Sequence, residues 1–257
     1  MVEGLSVLMK ANIPDAFRVE KLTVDYGTAG GGPLRDFSLP IRQGEITCLL
    51  GPSGCGKTTL LKALGGFVIG RDTGGVLYEG RYLSGPTPDI VMIFQENNLF
   101  PWLTVRGNVA FGLKFKPRSV GRERTIDEML RTVGLADATD RYPHELSGGM
   151  RQRTAIARAL VSNPHVLLLD EPFSALDISL RRRMNKLVLD LWATTGKTMV
   201  MVTHNVEEAL RVGHRVIVLG GRPASVLIDA DTRSAAMEDR YSAEFLALQQ
   251  QIEEVIY

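Results

Sequence analysis

A chain of 257 residues, 44% of them hydrophobic, supports one large domain, or a domain carrying an insert, with a core that needs no disulfides or metals. Thirty basic against 29 acidic side chains leave a formal charge of +1, which supplies no electrostatic case for nucleic acid or an anionic bilayer. Two cysteines, Cys48 and Cys55, are too few for a disulfide framework or a zinc site and fit a reducing compartment. No run reaches the ~18 apolar residues of a membrane span, and the opening residues lack a signal peptide's apolar stretch. The expectation is a soluble chain whose membrane role, if any, comes through a partner.

In chain order, "FRVEKLTVDYG" (17–27) and "GGVLYEGRYL" (74–83) are strand-like with glycine punctuation, which predicts a small antiparallel sheet. "EITCLL" (45–50) predicts a buried strand entering a glycine loop, and "TLLKALGGF" (59–67) the helix after it. Residues from about 97 to 160 lack strand patterning and read as helical, with "RERTIDEMLRTVGL" (122–135) amphipathic. Buried strands follow at "HVLLLD" (165–170), "TMVMVT" (198–203) and "RVIVLG" (215–220), with helices at 178–194 and 205–212. This alternation predicts an α/β fold with a parallel sheet covered by helices. "RRR" (181–183) reads as a solvated helix face. Near the end, Phe245, Leu248, Ile252 and Val255 recur at helical spacing, which predicts a helix packed on the core. There is no internal repeat and no low-complexity tract.

"GPSGCGKT", residues 51–58, fits G-x-x-x-x-G-K-[ST] between a strand and a helix, the context of a phosphate-binding loop. Gly51, Gly54 and Gly56 let successive N–H groups turn inward around a phosphate, with Pro52, Ser53, Cys55 and Thr59 completing the loop. The helix start adds roughly half a positive charge. Lys57 serves the β- and γ-phosphates, and Thr58 is a magnesium ligand. Inward amides and Lys57 favour a reactive thiolate at Cys55. In "VLLLDEP", Asp170 at a strand end holds the metal and Glu171 polarises a water. "LSGGMRQR" (146–153) is a second anion-binding helix start about a hundred residues away, more than one nucleotide needs.

"GPSGCGKTT", "LSGGMRQR", "LLLDEP", "SALD" and an isolated "TH", in this order over nearly the whole chain, resemble the ATPase subunits of ABC transporters. The resemblance implies a P-loop NTPase (RecA-like) parallel-sheet core with a small antiparallel β subdomain and an inserted helical subdomain. It implies one ATPase domain over 1–257, with a nucleotide-binding core at 1–95 and 160–257 and a helical signature subdomain at about 96–159. It also explains the second cradle: Ser147, Gly148 and Gly149 cover ATP held by a second ATPase subunit, expected to be an identical chain facing this one head to tail. By the same resemblance Tyr26 stacks on adenine, Gln95 reaches Mg2+ and the attacking water, His204 contacts the γ-phosphate, and Asp177 lies at the dimer seam.

Three positions depart from the family's usual residues: Asn205 after His204, Glu145 before the signature leucine, and Gly107 in "TVRGNV". None bears on the phosphate chemistry. Rival classes are a P-loop kinase or GTPase, for which no guanine motif is present, a non-transport ABC ATPase, and a scaffold binding ATP without turnover. "FQENNLFPWLTVRGNVAFGL" is similar to importers of nitrate, sulfonates and taurine, with thiamine-precursor or lipid transport as alternatives. The resemblance implies transmembrane permease subunits, a periplasmic or lipid-anchored solute-binding protein reached through them, and a peripheral place on the cytoplasmic face of the inner membrane. Leu99, Phe100, Trp102 and Leu103 around Pro101 form an apolar cluster expected to meet the permease.

Overall fold

Aliphatic runs without charges form the central strands, and each strand's alternation divides the molecule into two packed layers. The computed structural model describes residues 13–27, 32–70, 74–95, 98–114, 121–174, 176–234, 237, 239 and 241–257. Along the chain run β1 (Asp15–Val24), β2 (Leu34–Arg42), β3 (Ile46–Leu50), α1 (Lys57–Leu64), β4 (Gly75–Tyr78), β5 (Arg81–Tyr82) and β6 (Ile90–Ile93). Then come α2 (Val105–Phe111), α3 (Arg122–Thr132), α4 (Gly148–Leu160), β7 (Val166–Asp170) and α5 (Ile178–Thr195). The chain closes with β8 (Thr198–Val202), α6 (Val206–Val212), β9 (Arg215–Gly220), β10 (Ser225–Asp231) and α7 (Ala243–Ile256).

One sheet is antiparallel, in the order β2-β1-β4-β5, and the other has the order β10-β9-β3-β8-β7-β6. In the larger sheet β9, β3, β8, β7 and β6 are parallel and β10 runs against β9. Leu49, Leu168, Val200 and Ile217 face a core shared with the small sheet and α1. Their neighbours Cys48, Leu167, Met199 and Val216 face the opposite core, closed by α4, α5, α6 and α7. A third cluster gathers Val105, Val109, Ile126, Leu130 and Ala157 from α2, α3 and α4. α4 serves two clusters, because Ile156 and Leu160 belong to the core beside the sheet while Ala157 belongs to the helical one.

Three strands depart from the expected set. β2 carries Pro40, which its place at the edge of the small sheet tolerates. β6 has four residues, too short for a period to show. β10 is an exposed antiparallel edge whose apolar run is only three residues, Val226 to Ile228. The terminal helix packs through Phe245 and Ile252, but Val255 is exposed and Ile256 packs in its place.

Candidate active site

Register alone brings the chemistry to one edge. Leu49 of β3 pairs with Val202 of β8, Val202 with Asp170 of β7, and Leu169 with Ile93 of β6. The residues just beyond these strands therefore share the carboxyl edge of the sheet, where open α/β folds bind ligands. They are the loop from Gly51, the pair Asp170–Glu171, His204, and Gln95.

The glycine loop is a cradle with a built-in cation. Gly51 (φ 143°), Gly54 (φ 79°) and Gly56 (φ 106°) occupy backbone regions that favour glycine. A Cβ on Gly51 would meet the carbonyl oxygen of Leu219 at 2.1 Å. Lys57 is buried, and its Nζ donates to the carbonyls of Gly51 at 2.7 Å and Pro52 at 2.8 Å. Pro52, Ser53, Gly54 and Thr58 face solvent, with Thr59 half-buried behind them. Cys55 is 3% exposed with Sγ 3.8 Å from Nζ of Lys57, so the accessible thiol expected from its place in the loop is instead tucked beneath it.

Thr58 Oγ1 donates to Asp170 Oδ1 at 3.2 Å, joining loop and strand end. Burial first, and the neighbouring Glu171 charge, raise the Asp170 pKa, while the Thr58 hydroxyl opposes the shift. Glu171 takes φ 44°, a conformation strained for a residue with a side chain. Its N–H donates to Val202 O at 3.0 Å, and its own carbonyl accepts from Ser174 N–H and Oγ. His204 Nδ1 stands 3.4 Å from Glu171 Oε2. Gln95 is exposed just past β6, and Tyr26 is 57% exposed rather than part of the core.

Arg181 is a residue the sequence reading passed over. It is not on a solvated face like Arg182 and Arg183. Its guanidinium donates to the carbonyls of Phe173, Ser174 and Leu176, pinning the segment between Glu171 and Asp177. Only the spacing from Asp177 hinted at this, since a long side chain one turn into a helix reaches back over its own start.

The second anion-binding start lies elsewhere in the chain. Ser147 caps α4 by accepting from Met150 N–H at 3.3 Å. A Cβ on Gly149 would lie 2.3 Å from Leu180, so that glycine allows α4 to seat against α5, whereas Gly148 opens outward. Asp177 caps α5 through Leu180 N–H at 2.9 Å. The unusual residues at Asn205 and Glu145 serve local starts: Asn205 caps α6, and Glu145 accepts from Tyr142 N–H. Gly107 gives its N–H to the Thr104 cap of α2.

A phosphate loop joined to a strand-end acid, with a histidine on the next strand, defines a P-loop ATPase. The family model described as ABC transporter matches residues 34–174. The chain belongs to the ABC transporter family and is its ATP-binding, ATP-hydrolysing component. It is 47% identical over 195 residues to a taurine import ATP-binding protein of Roseobacter denitrificans, covering 75% of this chain and 72% of the relative. It is 44% identical over 211 residues to that of Escherichia coli K12, covering 82% of each. A dimeric ATP-binding cassette in a post-hydrolysis state, bound to ADP and Pi, superposes with TM-score 0.75 and 32% identity over 85% of this chain and 99% of that one. The cbiO1 structure from Clostridium perfringens, part of an ABC transporter complex, shares the fold with TM-score 0.77 at 24% identity, covering 93% and 99%. Dimerisation, permease partners and peripheral association with a membrane follow from this membership. Among the described residues, no helix is long and apolar enough to cross a membrane.

Proposed function

We propose that the chain hydrolyses ATP at the sheet edge to power uptake of a small sulfonate such as taurine. The observation that carries the chemistry is the juxtaposition of Thr58–Asp170 and Glu171–His204, at 3.2 and 3.4 Å, beside the glycine cradle. Lys57 exchanges its loop carbonyls for the β- and γ-phosphate oxygens, and the loop amides hold the rest of the charge. Tyr26 stacks on the adenine ring. Glu171 orients or deprotonates the attacking water, Gln95 positions it, and His204 holds the γ-phosphate.

Thr58, Asp170 and Gln95 are hard oxygen donors of the type magnesium takes. Buried Asp170 has one hydroxyl donor and a raised pKa, an arrangement that suits a cation. No group of three His, Cys, Asp or Glu side chains able to hold a metal occurs among the described residues. When bound, Mg2+ neutralises charge on the transferring phosphoryl group.

Ser147, Gly148 and Gly149 act on the ATP of a second, identical subunit, with Asp177 at the seam between the two. The relatives' names support the sulfonate reading; the reading extends to a solute-binding protein beyond the permease and a place on the cytoplasmic face of the inner membrane. We further read residues 1–95 and 160–257 as nucleotide-binding and 96–159 as the part carrying the signature. Glu171→Gln tests the mechanism: turnover falls about 10²–10⁴-fold, ATP still binds, and gel filtration with MgATP shows a dimer. A variant that stays monomeric, or keeps near-normal turnover, overturns the reading.

A further inference from the structure

Behind His204 lies a buried carboxylate that the mechanism does not use. Glu208 is 5% exposed, and its Oε2 accepts from the Thr203 hydroxyl at 2.5 Å. Asn205 is the N-cap of α6 and accepts from Glu208 N–H at 2.8 Å. In a capping box the acid at this position would accept from the N-cap N–H in return. Here the Asn205 N–H donates instead to Thr203 Oγ1 at 3.1 Å, and Glu208 reaches past the cap to Thr203.

The result is a closed ring: Asn205 N–H to Thr203 Oγ1, Thr203 O–H to Glu208 Oε2, and Glu208 N–H to Asn205 Oδ1. His204 is the one residue between its two anchored ends. Thr203 is itself tied to β3 through Leu49 O at 3.2 Å. Helix capping alone would not call for a buried carboxylate, since Asn205 already supplies the cap. Burying an acid costs free energy, and Glu208 Oε1 has no partner among the described residues. The ring lines the same small void as Glu171, His204 and Arg181.

We infer that Glu208 is a positioning residue for hydrolysis, holding the backbone on both sides of His204 so that the imidazole stays beside Glu171. This rests on the reading of His204 as a γ-phosphate contact. A charge-assisted hydroxyl–carboxylate bond is short and directional, and it defines the path of the segment more tightly than a solvated turn does.

The test compares Glu208→Leu, Glu208→Gln and Thr203→Val in the full chain, with His204→Ala as reference. Glu208→Leu and Thr203→Val should each lower kcat by at least about tenfold while the KM for MgATP stays within about twofold. Glu208→Gln keeps an acceptor for Thr203 and should recover to within about threefold. In nucleotide-free protein, the His204 Cε1–H resonance, assigned with His204→Ala, should move and broaden in the Leu and Val variants and not in the Gln variant. Adding Glu208→Leu to His204→Ala should cause no further loss. Unchanged kcat with a lowered melting temperature, multiplying losses, or an unmoved His204 resonance would each overturn the inference. Full turnover by His204→Ala would instead remove the reading of His204, and the inference with it.

Discussion

Asn108 shows how one side chain shapes the loop ahead of a helix. It is fully buried on α2, and its Oδ1 accepts from Phe100 N–H at 2.9 Å. Its Nδ2 donates to the carbonyls of Phe100, Leu103 and Thr104 at 3.0–3.2 Å. The loop ahead of α2 is thus wound around an amide rather than packed on a core. Asn108→Ala leaves those loop groups buried and unpaired, and should cost about 2–4 kcal/mol. For a chain of this size that is a fall of about 5–10 °C in melting temperature, with ATP affinity unchanged because the site lies at the sheet edge. Hydrogen exchange should localise the loss to 98–108, and an unaltered melt would show that the loop holds itself. "TVRGNV" gave no warning of this role, because a polar residue on a short helix is ordinarily solvated. Candidate site positions were easier to single out: a loop or strand end suited to phosphate needs particular residue types at fixed spacing. Arg181 and Glu208 escaped because each acts through another residue, and reach across a fold is not written in spacing.

At the scale of elements, the apolar strands were readable because nothing else accommodates their runs, while β2, β6 and β10 were not, being edges or very short. A junction between two legible elements also carries a pH dependence. His214, in the turn between α6 and β9, accepts from Ile46 N–H at its Nδ1, 3.0 Å away, and its ring lies 4.0 Å from that of Trp192 on α5. Burial first, and the Arg233 charge second, lower its pKa from 6.5, while Asp231 pulls the other way. In the unfolded chain the imidazole takes its proton near the ordinary value; in the folded chain it resists. Between the two pKa values the unfolded state holds more protons, so stability present above 6.5 is lost as pH falls toward the folded value. His214→Asn keeps an acceptor for Ile46 and cannot titrate. Melting temperature should therefore fall more steeply between about pH 7.5 and 5.5 in the parent chain than in this variant. Parallel slopes would place the acid sensitivity elsewhere.

Across the whole molecule, the nucleotide site and the apolar cluster proposed to meet the permease lie beside different cores, and a motor needs them joined. β6 does this: its end leads to Gln95, and its side chains Val91, Met92 and Ile93 line a cavity of about 190 Å3 with Phe111 and Arg158. The apolar cluster beside this cavity is not uniform, as its sequence suggested. Phe100 is half-buried, its ring 4.3 Å from that of Phe111 and 5.4 Å from the Arg158 guanidinium. It packs on side chains of α2 and α4. Trp102 is 70% exposed and touches Phe100 with centroids 5.5 Å apart. A large exposed indole packed against a second aromatic is the type of side chain that anchors interfaces, where truncation costs about 2 kcal/mol or more. The two substitutions should therefore separate. Phe100→Ala lowers the melting temperature, since removing a half-buried aromatic packed on Phe111 costs about 1–2 kcal/mol. Trp102→Ala should leave both the melt and the ATP titration where they were, yet weaken co-purification with the permease by at least about tenfold. Transport then fails in the Trp102 variant with its ATP site intact. If that complex assembles unchanged, the coupling contact is made by another face of the chain, and Trp102 is an exposed aromatic without a partner.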